Sequence, residues 1–458
     1  MKDYITIIGG GLAGTEAAYQ IAKRGIKVKL YEMKPKKYTP AHSNKNLAEI
    51  VCSNSFKSNL LTNACGLLKE ELRKLDSLLI KVADEVQVPA GQALAVDREK
   101  FAEKVTEKIM ENPLIEVISQ EVGKDISIKE LSNDGIVIIA TGPLTSDSLA
   151  KEIGEITGQN KLYFYDAAAP IITKESINFN IAFYGNRYEE EKQKDESIEE
   201  WKERLKNQDA SYINLPMSKE EYETFYRELI NAETVVLHDF EKKEIFEGCM
   251  PIEIMAKRGI DTLRFGPLKP VGFDDPRTGK RPYAIVQLRQ DNEEGTMYNL
   301  VGFQTNLKFG EQKRVFSLIP GLDNSEFIKY GVMHRNTYIN STVLLDNTYN
   351  LKENNNIYFA GQITGVEGYV ESISSGMVAA LNAFARLKNQ SKVTFPKTTV
   401  IGALAKYVST DNEKFQPMNA NFGILPELDE KIKDKKLRYT KMAERSLLEL
   451  KNCMNKIL

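Results

Sequence analysis

The chain has little of what most often gives a protein's chemistry away at sight. Its four cysteines, Cys52, Cys65, Cys249 and Cys453, are widely separated in 458 residues and form no C-x-x-C pair. That excludes a disulfide framework and a cysteine-based zinc site. Three histidines are too few and too scattered for a histidine metal centre, so no metal is expected. No apolar run reaches membrane-spanning length, and the N-terminus enters a strand-like segment at once, without a signal-peptide pattern. The expected location is therefore the cytoplasm, with no membrane partner. An excess of charge of one sign is also missing, since 62 Lys and Arg face 64 Asp and Glu. A polyanion would have to be met by a local patch rather than by the whole surface. No internal repeat is present. A hydrophobic content of 42% and a charged content of 28% describe an ordinary globular chain, long enough for two or three domains.

What is present starts at the N-terminus. Tyr4–Gly14 reads YITIIGGGLAG, an apolar run breaking into Gly9-x-Gly11-x-x-Gly14. This is the strand-to-helix turn of a dinucleotide site: Gly9 for the tight turn, Gly11 for close approach of the pyrophosphate, Gly14 for helix–strand packing. Gly10, Leu12 and Ala13 complete the loop, and the phosphates are expected on the helix N-terminus near Ala13. A second strand, Lys27–Tyr31, ends in Glu32, placed to accept hydrogen bonds from a ribose. Two later segments repeat the strand-then-glycine theme. Ile136–Gly142 (IVIIATG) offers Thr141 and Gly142. Asn356–Gly361 (NIYFAG) leads into Gly361, Gly365, Gly368 and Gly376 before a helix expected over Met377–Phe384.

Together these segments point to FAD, held by a Rossmann-like α/β domain of the glutathione-reductase type and assembled from both ends of the chain. The expected division is 1–165 and 331–458 for the FAD domain, with an inserted α+β domain over 166–330. There is no second G-x-G-x-x-G and no C-x₄-C pair near the first helix, which argues against ordinary disulfide-reductase chemistry. A nicotinamide reducing the flavin, NADH or NADPH, would have to dock transiently.

The insert changes in character. Arg187–Lys206 is nearly all charged and has little to bury. Ser218–Asn231 carries Tyr222, Phe225, Tyr226 and Leu229 at helical spacing. Lys257–Tyr283 is rich in Gly and Pro and reads as loop with short strands. It holds Lys257, Arg258, Arg264, Lys269, Arg277, Lys280 and Arg281, the best candidates for contacts to a phosphate backbone. Leu425–Leu458 reads as helical, with lysines on exposed positions.

Cys52, in AEIVCSNSFKSN, and Cys249, in FEGCMPIEIMAKRG, lack the apolar neighbours of a structural core cysteine. A turn rich in N–H donors, or a nearby cation, would make each a candidate nucleophile. Cys65 and Cys453 lie in helical contexts and fit structural roles.

With these residues in view, the chain resembles the TrmFO family of folate- and FAD-dependent tRNA (uracil-5-)-methyltransferases. GGGLAGTEAA, Glu32 with MKP, AEIVCSNSFKSN…LTNACGLLKEEL, PAGQALAVDRE, FEGCMPIEIMAKRG and FQPMNANFGILP carry the resemblance across nearly the whole length. The stretch Arg187–Lys206 departs from it in being longer than in typical members. The glucose-inhibited division proteins (MnmG) are a related family. The resemblance implies methylation of C5 of a uridine, in the first place uridine 54 of the tRNA T-loop. The implied one-carbon donor is 5,10-methylenetetrahydrofolate, with reduced FAD as reductant and methylene carrier, regenerated by NADH or NADPH. It further implies that Cys249 is the nucleophile adding to C6, and that Cys52 removes the C5 proton or handles the methylene; the two roles are exchangeable. The target base must leave its stack to react. The same chemistry on a 23S rRNA uridine is an alternative. From other classes come a small-molecule flavin oxidoreductase with structural cysteines, and a non-catalytic RNA-binding flavoprotein.

Overall fold

The two ends of the sequence meet in one sheet. The computed structural model describes residues 2–39, 41–133, 135–158, 162–186, 212–235, 250–275, 277–412 and 415–457. Cys249 and the charged stretch Arg187–Lys206 lie outside the described residues.

Strands β1 (Tyr4–Ile8) and β2 (Lys27–Glu32) flank the helix Leu12–Lys23. β3 (Ser55–Ser58), β4 (Gln87–Val88) and β5 (Ala93–Val96) form a small sheet of order β3-β5-β4. β6 (Ile115–Ser119) and β7 (Ile136–Ile139) return to β1 and β2. β8 (Leu162–Ala167) then leads into β9 (Ile171–Thr173), β10 (Phe183–Tyr184), β11 (Tyr212–Met217), β12 (Ala284–Gln290), β13 (Met297–Leu300) and β14 (Phe327–Lys329). From β9 to β14 they build a second six-stranded sheet, order β10-β11-β12-β13-β9-β14, in which every pair is antiparallel. β15 (Met333–Tyr338) pairs with β8, and β16 (Asn350–Leu351) and β17 (Asn354–Phe359) rejoin the first sheet. The first sheet therefore runs β16-β17-β7-β1-β2-β6, parallel except at the β16–β17 edge.

Composition explains the contrast. Ile5, Ile7, Ile8 and Ile136–Ile139 are buried whichever face they point to, as in a parallel sheet covered by helices on both sides. The covering helices Leu12–Lys23 and Tyr369–Leu387 pack against each other. A Cβ on Gly376 would lie 2.3 Å from the Ala13 carbonyl oxygen. The helix expected over Met377–Phe384 thus begins at Tyr369, and Gly376 is a packing residue inside it rather than part of a loop before it. The second sheet has its own core, including Ile213, Phe225, Leu288, Phe303 and Phe316. Lys219–Asn231 covers it, started by a capping box in which Ser218 and Glu221 exchange hydrogen bonds.

Two other expectations need correction. Among its described residues Lys257–Tyr283 holds no strand; its one element, Thr262–Phe265, is a short helix that follows the helix Ile252–Ala256. Tertiary anchoring explains this, since Leu263 and Leu268 are fully buried. The C-terminal helix starts at Lys435, not near Leu425; Pro426 cannot sit in a helix interior.

Candidate functional site

A cleft opens where β1, β2, β7 and β17 end, lined by Gly9, Gly10, Gly11, Leu12, Ala13, Glu32, Thr141, Gly142 and Gly361. About 1100 Å³ of space, open solvent included, lies within it, enough for a large ligand. Gly9 has φ +102°, and a Cβ there would sit 2.6 Å from the Ala140 carbonyl oxygen. Gly11 has nothing within 4 Å of its Cβ position, so backbone faces open space. The helix it starts has no capping side chain and no acidic residue in its first turn. Its first N–H groups are a cradle for an anion such as a pyrophosphate. Gly14 acts in packing: a Cβ would lie 1.9 Å from the Gly9 carbonyl oxygen.

Glu32 accepts the Gly10 N–H at 2.7 Å on one carboxylate oxygen and the Lys34 N–H at 3.0 Å on the other. Each oxygen keeps a lone pair for a ribose hydroxyl. The Thr141 and Thr145 hydroxyls are bonded to each other at 2.7 Å. The Gly361 N–H donates to the Ser375 hydroxyl at 2.7 Å. Gly365 and Gly368 do not line the cleft. A Cβ on Gly365 would meet the Phe415 ring at 2.3 Å, and Gly368 caps the helix Tyr369–Leu387 with φ +125°. The residues present thus fit an FAD-sized dinucleotide, with those two glycines in packing and capping roles.

Cys52 is half-buried. Its N–H and that of Ser53 each donate to the Tyr369 hydroxyl at 3.0 Å, and its Sγ lies 3.7 Å from the Ala167 carbonyl oxygen at the end of β8. Tyr369 also lines the cleft, as does Val51. Burial first, then the Cys52 thiol beside it, holds the Tyr369 phenol above its ordinary pKa.

Three cations surround this loop. Arg289, from β12, donates to the Asn54 side-chain oxygen at 2.8 Å and to the Ser53 hydroxyl at 2.7 Å. Asn54 in turn donates to the carbonyls of Val96 and Gln290, so it ties the loop to both parts of the chain. Arg98 pairs with the buried Asp291 at 3.0 Å, while its Nη2 is buried with no partner among the described residues. Lys329, from β14, feels Arg98, Glu49, Asp291 and Cys52; burial, then Arg98, holds its amine below the usual lysine value. None of Arg98, Arg289, Lys329 or Tyr369 carries a local sequence signal. They come from a helix start, two strands of the insert and a late helix, and only the fold assembles them.

The remaining cysteines differ in their surroundings. Cys65 is buried in the helix Ala64–Lys74, and burial pushes its thiol up to about 11, which suits a structural role. Cys453 is half-buried in the C-terminal helix. Among the described residues no cluster of His, Cys, Asp or Glu could hold a metal, and no helix is long and apolar enough to cross a membrane. Of the cations singled out in the insert, Arg264 and Arg277 are engaged within the chain. Arg264 pairs with Asp261 and lies 3.5 Å above the Tyr283 ring, and Arg277 pairs with Asp275. Lys257, Arg258, Lys280 and Arg281 are exposed.

Residues 4–391 match the family model described as glucose inhibited division protein A. A protein of Acetivibrio thermocellus named methylenetetrahydrofolate--tRNA-(uracil-5-)-methyltransferase TrmFO is 60% identical over 457 residues, covering 100% of both chains. Proteins of the same name from Fusobacterium nucleatum and Halalkalibacterium halodurans are 57% and 54% identical, each covering 99% of both chains. The crystal structure of Aquifex aeolicus GidA (form II) superposes with a TM-score of 0.66 at 15% identity, covering 99% of this chain and 75% of that one. At that identity the likeness speaks for the fold.

Proposed function

The chain belongs to the TrmFO family, within the wider glucose inhibited division protein A group, and from that membership we infer its reaction. It is a methylenetetrahydrofolate--tRNA-(uracil-5-)-methyltransferase: it methylates C5 of a uridine in tRNA, with the folate as one-carbon donor. The target we propose is uridine 54 of the T-loop. We propose a division of labour in which 1–165 and 331–458 make the FAD domain and 166–330 the insert. The cleft at Gly9–Gly14, Glu32, Thr141, Gly142 and Gly361 would hold FAD. Bound there, FAD would supply two-electron reduction and one-carbon transfer. NADH or NADPH would dock transiently, because the chain has one dinucleotide turn. The proposed site of action is the cytoplasm.

C5 of uracil is a weak nucleophile. Addition of a thiolate to C6 makes C5 enolate-like and able to attack a one-carbon electrophile. We assign that addition to Cys249. Cys52 then takes the C5 proton and elimination of the Cys249 thiolate restores the C5–C6 double bond; the attached one-carbon unit, still at the methylene level, would become methyl by the two-electron reduction that bound FAD supplies. The single observation that carries this reading is the position of Cys52. Its backbone is held by Tyr369, and both Tyr369 and Val51, the chain neighbour of Cys52, line the cleft, so this half-buried cysteine is next to the cleft's lining although it is not itself part of it. Arg289 and Asn54 hold the loop still, and the cations would favour an anionic oxygen of the reacting ring.

Mass spectrometry of the FAD-loaded protein mixed with 5,10-methylenetetrahydrofolate, NADH and 5-fluorouridine-containing tRNA tests it. A fluorine at C5 cannot be removed as a proton is, so a covalent adduct should accumulate with the wild type and vanish in Cys249→Ala, with FAD retained. Absence of any adduct in the wild type overturns the mechanism. Mapping 5-methyluridine in tRNA and 23S rRNA from a deletion strain decides the target: persistence in the T-loop would overturn the assignment to uridine 54.

A further inference from the structure

One apolar group stands apart from the cleft and from both cores. Phe265, the last residue of the helix Thr262–Phe265, is 80% exposed, the most open large hydrophobic side chain among the described residues. Ile260 and Val271, on the same segment, are 42% and 40% exposed. The segment is braced rather than loose. Leu263 and Leu268 are fully buried beneath it, and the Leu268 N–H donates to the Leu263 carbonyl at 2.9 Å. The Ile285 N–H of β12 donates to the Leu268 carbonyl at 3.1 Å, and Arg264 donates to the Tyr283 carbonyl at 3.0 Å. The Tyr222 hydroxyl donates to the Ile260 carbonyl. A phenyl ring kept in water on a fixed support is pre-organised for a partner.

The surroundings say which partner. Residues 257–283 carry seven cations against three carboxylates in a chain that is close to neutral overall. Asp261 and Asp275 are paired with Arg264 and Arg277, while Lys257, Lys280 and Arg281 face solvent. Tyr283, two positions after Arg281, lies under the guanidinium of Arg264, the residue before Phe265, which brings the end of the segment back to the helix Thr262–Phe265. A protein-binding patch would be broader and depleted of charge at its centre. An unpaired nucleobase offers a π-face to the phenyl ring while its phosphates meet the cations.

We propose that Phe265 is a base-stacking residue of the RNA-binding face, with Lys257, Lys280 and Arg281 taking phosphates around it. The inference rests on the reading of this protein as an RNA methyltransferase. A uridine that leaves its loop breaks the stack and exposes a neighbouring base. Phe265 gives an exposed base of that loop a new surface.

Stacking and phosphate contact differ in their response to salt. Phe265→Ala should weaken binding of unmodified tRNA roughly five- to hundredfold while leaving the slope of log affinity against log salt unchanged. Lys280→Ala with Arg281→Ala should lower that slope by about two. The chain has one tryptophan, so Phe265→Trp in a Trp201→Phe background leaves a single indole at this position. That variant should bind like the parent, with its fluorescence quenched by tRNA. Thermal stability and FAD content should not change in Phe265→Ala. If Phe265→Ala binds as tightly as the wild type while the double cation variant is weakened, stacking is overturned and the RNA reading stands. If the wild type does not bind tRNA at all, the reading beneath it fails. A shift from dimer to monomer on Phe265→Ala in sedimentation would make the patch a contact between copies and also overturn the proposal.

Discussion

The protein holds two groups of cations that look alike in the sequence. Arg98, Arg289 and Lys329 are drawn in around the Cys52 loop, where Arg289 is 8% exposed and Arg98 is paired to the buried Asp291. Lys257, Lys280 and Arg281 stand in water on the segment that leads to Tyr283. Inside, a charge keeps its strength and its hydrogen bonds set geometry, so the buried group positions the Cys52 loop. Outside, a charge is screened within about 10 Å and acts on partners in solution. One group surrounds the Cys52 loop; the other faces solvent.

The comparison breaks most sharply at Asp291. Asp291→Asn leaves Arg98 buried without its counter-charge, and should cost about 3–5 kcal/mol in stability. Thermal or urea unfolding of the FAD-loaded protein measures it; an unchanged transition would show that the inner charges are solvated after all. A buried carboxyl should follow the same rule. Glu71 accepts the Val400 and Ile401 N–H groups and the Ser446 hydroxyl, and burial pushes its carboxyl up to about 7 from 4.5. The folded state holds this proton more tightly than the unfolded chain. Its contribution is therefore full below pH 4.5 and is lost as pH rises through about 7, a change of about 3 kcal/mol. Melting temperatures between pH 5 and 8 should fall more steeply for the wild type than for Glu71→Gln, and parallel curves would refute it.

Arg289→Lys sharpens the positioning claim. A lysine reaches one of Ser53 and Asn54 but not both with a fixed fork. Turnover should drop about tenfold with little change in KM for tRNA. A loss expressed through KM alone would assign Arg289 to binding instead. The smallest effect on the fold belongs to the exposed group. Lys280→Ala should move stability by less than about 0.5 kcal/mol, yet reduce the salt dependence of tRNA binding. A measurable loss of stability there would erase the contrast.

Much of the cleft is legible in local sequence because its demands are local. Gly9 and Gly14 answer to a tight turn and a close packing contact where a Cβ would collide, and Gly11 leaves its backbone open to the cleft. Glu32 stands at the end of the second strand, where a ribose would lie. Gly365 and Gly368 look alike in sequence but serve the Phe415 contact and a helix cap, because a glycine reports a missing side chain and not its reason. The helix expected from Met377 begins at Tyr369. Gly376 looks like a breaker, yet a helix tolerates it where a second helix presses on that face. Tyr369 is invisible for the same reason: read as loop, it has no place to point.

Local rules are enough to establish a dinucleotide turn, a nucleotide sheet made from both ends of the chain, and two unusual cysteines. Backbone geometry and hydrophobic period act over a few residues, so they leave a trace in a few letters. The company Cys52 keeps is another matter. Tyr369, Arg98, Arg289 and Lys329 are far apart along the chain and meet through the packing of two separate cores. Their charges and hydrogen bonds take effect only when that packing excludes water from between them. Tertiary structure alone decides which cations gather around the Cys52 loop and which stay in solvent.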